Sequence, residues 1–174
     1  MNYKHIFALD PSGNFTEGKG TTGWAILLSD RTILECGFIA ASSYNTINEY
    51  WDAHLELIES ILSKYDSVGV VIEDYLLYGN KAKSQINSRM ETPKLIGILQ
   101  QHLWTKGIPY CMQPAAEVKT RWADEVLVAK GFIEKKKNGV TSVPNVGTIC
   151  RHEKDAIRHG LHFASFKNKL QKEG

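Results

Sequence analysis

The sequence predicts one α/β domain built around a five-stranded mixed sheet with helices on both faces, and three observations predict it. Three strand-like segments follow one another at the start, segments of helical and strand period then alternate, and no repeat, low-complexity stretch or long linker divides residues 1–174. A chain of 174 residues that is 43% hydrophobic is long enough to bury one sizeable core.

From Lys4 to Asp10 the chain reads as a buried strand that ends on a charge. Thr21–Asp30 and Thr32–Ala41 read as two more, linked tightly at Asp30 and Arg31, which predicts an antiparallel hairpin. Between Thr46 and Tyr65, Ile47, Tyr50, Trp51, His54, Leu55, Ile58, Ile61 and Leu62 recur at the three-and-four spacing of a buried helical face. Glu49, Asp52, Glu56 and Glu59 take the opposite face. The stretch "SVGVVIEDY" is too short and too Val-rich for a helix, so it reads as a fully buried strand ending at Glu73.

Thr92 and Pro93 read as the cap and first turn of a helix that stops at Gly107. "IPYCMQ" is a fifth strand, and Pro114 opens a helix that continues to Gly131. "EKKKNGVTSVPNVG" reads as an exposed basic loop or flap, and a last helix runs from about Thr148 to Lys167. The expected sheet is therefore a three-stranded antiparallel meander plus parallel strands joined by right-handed crossovers, an order that resembles the ribonuclease H-like arrangement.

Composition narrows the setting. No apolar run reaches the roughly 18 residues of a membrane span, and "MNYKHIFALDPSG" does not suit a secretory signal, so a soluble cytoplasmic protein is expected. Cys36, Cys111 and Cys150 are odd in number and form no CxxC pair, which suits free thiols; Cys150 and His152 lack two further ligands for zinc. Net charge is +2, but residues 1–87 hold 6 Lys/Arg against 11 Asp/Glu, whereas residues 88–174 hold 15 against 8. A basic face beside an acidic centre suits an enzyme of nucleic acids, and a solvated basic helix and tail would give the same balance.

The acidic centre is the informative part. Strands one and four lie side by side in such a sheet, so Asp10 and Glu73 converge at their carboxyl ends. Two carboxylates placed together repel unless cations intervene, and hard oxygens select Mg²⁺ or Mn²⁺. Two such ions roughly 3.5–4 Å apart can hold the attacking and leaving oxygens of a phosphodiester. The last helix adds His152 and Asp155, three apart on one face, with His159 a turn further on; Glu153 points elsewhere. Ala156 and Gly160 are small enough to let that helix approach the sheet. The glycines of "GNFTEGKGTTG" do not make a phosphate-binding loop, because a strand and not a helix follows them; Lys19 there can reach a DNA backbone.

These motifs together resemble the RuvC-type Holliday junction resolvases, in particular the small phage-encoded branch. "LDPSG" with Asp10, "TTGW" with Gly23, "VVIEDY" with Glu73 and "HEKDAI" with His152, Asp155 and Ala156 match the family's ordered motifs over almost the whole chain. "PAAEVKTRW" resembles the segment that carries a basic active-site residue, here Lys119, with Arg121 beside it as a DNA contact. The family places an aromatic wedge shortly after the strand-four Glu; Leu76 occupies that position here, flanked by Tyr75 and Tyr78, either of which can stack on a base. The first loop is longer than in bacterial enzymes, and the stretch after Lys119 lacks the expected glycine-rich pattern.

The resemblance implies a Mg²⁺-dependent endonuclease, with two ions per site and Mn²⁺ as a substitute, acting on four-way junctions and other branched DNA. It implies 5′-phosphate and 3′-hydroxyl products, metal ligation by Asp10, Glu73, His152 and Asp155, and Lys119 against the developing phosphorane charge. No small-molecule cofactor and no membrane partner are expected, and the location is the cytoplasm, that of the host if a phage encodes the chain. Symmetric cutting needs a twofold axis, so a homodimer through the helix at Pro93 is expected. The rivals are a ribonuclease H proper, a flap nuclease using the same carboxylates, and a non-catalytic branched-DNA-binding module. The actin and sugar-kinase type of ATP-binding fold needs two domains, for which 174 residues leave no room.

Overall fold

A computed structural model describes residues 3–76, 89–136 and 139–166. Its main sheet holds β1 (His5–Asp10), β2 (Thr21–Leu28), β3 (Ile33–Ala40), β4 (Val68–Asp74) and β5 (Tyr110–Pro114), in the spatial order β3-β2-β1-β4-β5. β1 runs antiparallel to β2 and parallel to β4, β2 pairs antiparallel with β3, and β4 pairs parallel with β5. The expected meander and parallel strands are both present.

β1 is central, and all six of its residues are buried, because both faces of the sheet are covered. Phe7 and Leu9 pack with Ile58 and Ile61 of α1 (Ile47–Lys64) and with Leu95, Leu99 and Leu103 of α2 (Glu91–Thr105). Ile6 and Ala8, on the other face, pack with Val118 of α3 (Ala115–Arg121), Leu127 of α4 (Asp124–Ala129), and Ile157 and Leu161 of α5 (Arg151–Phe166). Gly160 of α5 sits where any Cβ would run into the Leu27 side chain, so its lack of a side chain is what lets α5 close on β2.

Four local expectations are corrected. Thr92 does not cap α2: Met90, in the left-handed region at φ 53°, holds the cap position, and the Thr92 hydroxyl accepts from the Gly13 backbone N–H at 2.9 Å. The helix expected from Pro114 to Gly131 is broken at Trp122, where the backbone leaves helical geometry as the indole enters the core against Phe132. The expected basic flap holds a second, three-stranded sheet of β6 (Glu134–Lys135), β7 (Thr141–Val143) and β8 (Gly147–Ile149), with Val143 and Ile149 in the core. Thr148 therefore lies in β8, and α5 begins at Arg151, where Glu153 turns back to accept from the Cys150 N–H at 2.6 Å.

α1 has its expected bounds. Thr46 and Glu49 form a reciprocal capping box, and Tyr65 ends the helix. Its buried face includes His54, which burial holds down at about 4 in spite of a hydrogen bond to the Tyr50 carbonyl. An imidazole with a depressed folded pKa contributes stability above the unfolded value near 6.5, and that contribution is lost as pH falls towards 4. Unfolding free energy should drop by about 3 kcal/mol across that interval, measured by urea denaturation, and His54→Gln should flatten the drop. No described helix is long and apolar enough to cross a membrane.

Candidate active site

Strand register assembles the site. Leu9 pairs with Ile72, so Asp10 and Glu73 are the next positions along adjacent parallel strands, and Glu73 pairs in turn with Gln113 of β5. Asp10 is paired across β1–β2 with Gly23. A Cβ on Gly23 would overlap the His152 backbone carbonyl and the Glu153 nitrogen. The glycine therefore lets the start of α5 sit directly on β2, which carries His152 and Asp155 to the strand ends.

The polar contacts join all five residues expected at the centre. His152 donates from Nδ1 to Asp10 Oδ2 at 3.2 Å. The Lys119 ammonium lies 3.4 Å from Glu73 Oε2 and 3.3 Å from Asp155 Oδ2, bridging strand β4 and helix α5. His159, expected only as a neighbour on the helix face, is fully buried; its Nε2–H donates to Glu73 Oε2 at 2.9 Å, and its Nδ1 faces the Gln113 side-chain oxygen at 3.0 Å.

Electrostatics divide the carboxylates. Burial pushes the Asp10 carboxyl up to about 6, with the charges of Glu73 and Asp155 adding to burial and the His152 hydrogen bond opposing it. Glu73 goes the other way, down to about 2: burial opposes this, but the hydrogen bond and charge of His159, together with Lys119, outweigh it. Lys119 is raised by Glu73, Asp155 and Asp10 even though burial works against its charge. The Asp10 hydrogen bond raises His152 against burial. Asp10 is thus a carboxylate in want of a cation.

That donor set suits a hard divalent ion. Asp10, Glu73 and Asp155 offer only oxygens, and their mutual repulsion is what such an ion relieves. No three of the described His, Cys, Asp and Glu side chains are gathered into a ready ligand shell. Lys119 spans Glu73 and Asp155, and Arg158 takes the other Asp155 oxygen.

Arg158 and Asp124 were not legible as site residues. The Arg158 guanidinium bonds Asp155 and Asp124 and donates from Nε to the Trp122 carbonyl at 2.9 Å. Asp124 also receives Lys135 at 2.8 Å and Lys154 at 2.9 Å. Burial would raise Asp124, yet these cations bring it to about 2. The one sequence signal was the spacing of Lys154 and Arg158 about Asp155 on α5. Replacing Arg158 with Leu leaves two carboxylates short of a partner, so a loss on the order of 3 kcal/mol in denaturant unfolding is expected.

Of the expected DNA contacts, Lys119 lies within this centre, bridging Glu73 and Asp155. Lys19 is exposed with its ammonium 3.2 Å from Glu17, and Arg121 pairs with Glu117 at 3.5 Å and lies over the Phe166 ring. Tyr75 is half-buried just beyond β4 and Leu76 is exposed; Tyr78 lies outside the described residues.

No protein-family model matches the chain, and no curated protein matches it in sequence. Solved structures share its fold, two of them RuvC proteins. One, described as T. thermophilus RuvC in complex with Holliday junction substrate, has a TM-score of 0.66 at 13% identity, covering 97% of this chain and 99% of the other. A Thermus thermophilus RuvC structure has a TM-score of 0.65 at 12% identity, covering 96% and 98%. The ribonuclease H-like fold expected from the order of elements is the one observed.

Proposed function

We propose that this chain is a divalent-metal-dependent endodeoxyribonuclease that resolves four-way junctions and related branched DNA, working as a homodimer in the cytoplasm. The observation that carries the proposal is the placement of Asp10 and Glu73 at the carboxyl ends of adjacent parallel strands, with Lys119 bridging Glu73 to Asp155 of α5. A fold shared with a protein solved on a Holliday junction supports the choice of substrate.

Two Mg²⁺ ions, or Mn²⁺ in their place, held by Asp10, Glu73 and Asp155 with His152 beside them, would supply Lewis acidity and charge neutralisation at the scissile phosphate. The protein's own groups do the rest. Asp10 is fixed at the end of a fully buried strand, which holds it on a rigid element. His152 holds one Asp10 oxygen through Nδ1 and leaves part of its ring exposed to incoming substrate. Lys119 carries a firm positive charge at the rim, placed to meet the non-bridging oxygens as negative charge grows on phosphorus. His159 and Arg158 hold Glu73 and Asp155 from behind. Hydrolysis in this sense leaves a 5′-phosphate and a 3′-hydroxyl.

Lys19, Arg121, Tyr75 and Tyr78 are the proposed contacts along the DNA arms. The exposed Trp104 near the end of α2 favours that helix as the twofold interface. The same carboxylates would serve a ribonuclease H or a flap nuclease, so the assay that separates them is a panel of substrates under Mg²⁺. Paired incisions across a four-way junction support the proposal; cleavage confined to the RNA strand of a hybrid, or to flaps, would replace it.

A further inference from the structure

We propose that Thr22 is a positioning residue for Asp10, acting through a buried polar relay that fixes the turn directly after it. This inference rests on the nuclease reading of Asp10. Ser12, two residues beyond Asp10, has both of its backbone groups tied down. Its N–H donates to Thr22 Oγ1 at 3.1 Å, and its carbonyl accepts from the Tyr50 hydroxyl at 2.6 Å.

The relay continues inward to His54. Its Nδ1 lies 2.6 Å from the Tyr50 carbonyl, which can only accept, so the ring proton of neutral His54 sits on Nδ1. Nε2, 2.8 Å from Thr22 Oγ1, must then accept the Thr22 hydroxyl proton. That assignment turns a lone pair of the same oxygen towards the Ser12 N–H. The tautomer of one buried imidazole thus sets the direction of the hydroxyl that holds the backbone beyond Asp10.

Burial gives the arrangement its force. Thr22 and Tyr50 are 0% exposed and His54 is 1% exposed, so each polar group would be costly without its partner. Packing alone would be served by Val, Phe and Leu at these positions; the polar atoms are used instead to hold the two backbone groups of Ser12. β1 fixes Asp10 from the front through its ladders, and the relay fixes it from behind. The next residue, Gly13, donates to Thr92 and has no room for a Cβ against the Glu91 backbone, so the clamp extends to α2.

The test compares Thr22→Val, which keeps the shape but removes the oxygen, with Thr22→Ser, which keeps the oxygen. Mn²⁺ binding to the DNA-free protein is followed by electron paramagnetic resonance, and turnover and KM are measured on a four-way junction. Thr22→Val should weaken Mn²⁺ binding roughly tenfold and lower kcat by a similar factor with KM unchanged, whereas Thr22→Ser should stay within about twofold of wild type. Tyr50→Phe, which releases the Ser12 carbonyl, should move the same quantities in the same direction and serves if Thr22→Val does not fold. Wild-type Mn²⁺ affinity and turnover in Thr22→Val, or equal losses in Thr22→Val and Thr22→Ser, would overturn the positioning role alone. Failure of the wild type itself to bind Mn²⁺ would remove the nuclease reading, and the positioning role with it.

Discussion

Asp10→Asn should lower junction cleavage by on the order of 10³-fold, about 4 kcal/mol in the barrier, while junction affinity stays within a few-fold of wild type. The amide keeps the shape and can still meet His152, but it removes the negative charge from the carboxylate that ends the central strand β1 opposite Gly23. Stability should move in the opposite direction. Burial raises the Asp10 carboxyl to about 6, so the wild type loses stability as pH rises from the unfolded value near 3.8 through 6, and the variant does not. Metal-free Asp10→Asn should therefore melt above metal-free wild type at pH 8, as measured by calorimetry. A lower melting temperature with retained cleavage would show Asp10 to be a structural residue.

Gly23→Ala should have the second largest effect, without touching any ionisable group. The new methyl would overlap the backbone of His152 and Glu153, and backbone cannot rotate aside as a side chain can. Either β2 or the start of α5 must shift, at a cost of about 1–3 kcal/mol. A displacement of about 1 Å at His152 and Asp155 is enough to cost on the order of 10²-fold in turnover. Gly160→Ala is the matched control, because its methyl meets the far end of the Leu27 side chain. It should cost stability but little of the rate per folded molecule. Equal rate losses in the two variants, normalised to the folded fraction, would contradict the role assigned to Gly23.

Much of the site was legible because its residues interrupt strong local patterns. Asp10 and Glu73 end apolar runs that periodicity reads as buried strands, and a charge at such a place needs a partner. His152 and Asp155 share a face by spacing alone, and Lys119 follows the fifth strand at a matching motif.

What escaped the reading was set by contacts between distant segments. Thr92 looks like a cap because Thr before Pro favours one; the chain instead spends its hydroxyl on Gly13, 79 positions away. The break at Trp122 cannot be read from "VKTRWADEV", which is continuous in helical propensity; it follows from indole burial and from the Arg158 bond to the carbonyl. The lysines of "EKKKNG" masked the short strands β6–β8, whose apolar content is two side chains facing the core. Arg158, Asp124 and Gln113 touch the site only after β5, α4 and α5 have packed, so no local pattern marks Asp124 or Gln113, and Arg158 is marked only by its spacing from Asp155.

One measurement bears most directly on the central claim: incision of a synthetic immobile four-way junction by the wild-type protein, titrated with Mg²⁺ and mapped on all four strands. The account predicts no cleavage in chelator, and saturable Mg²⁺-dependent cleavage at paired, symmetry-related positions on two opposing strands, with 5′-phosphate ends. Cleavage that persists in chelator, or the absence of junction cleavage with both Mg²⁺ and Mn²⁺ by a folded, junction-bound protein, would contradict it.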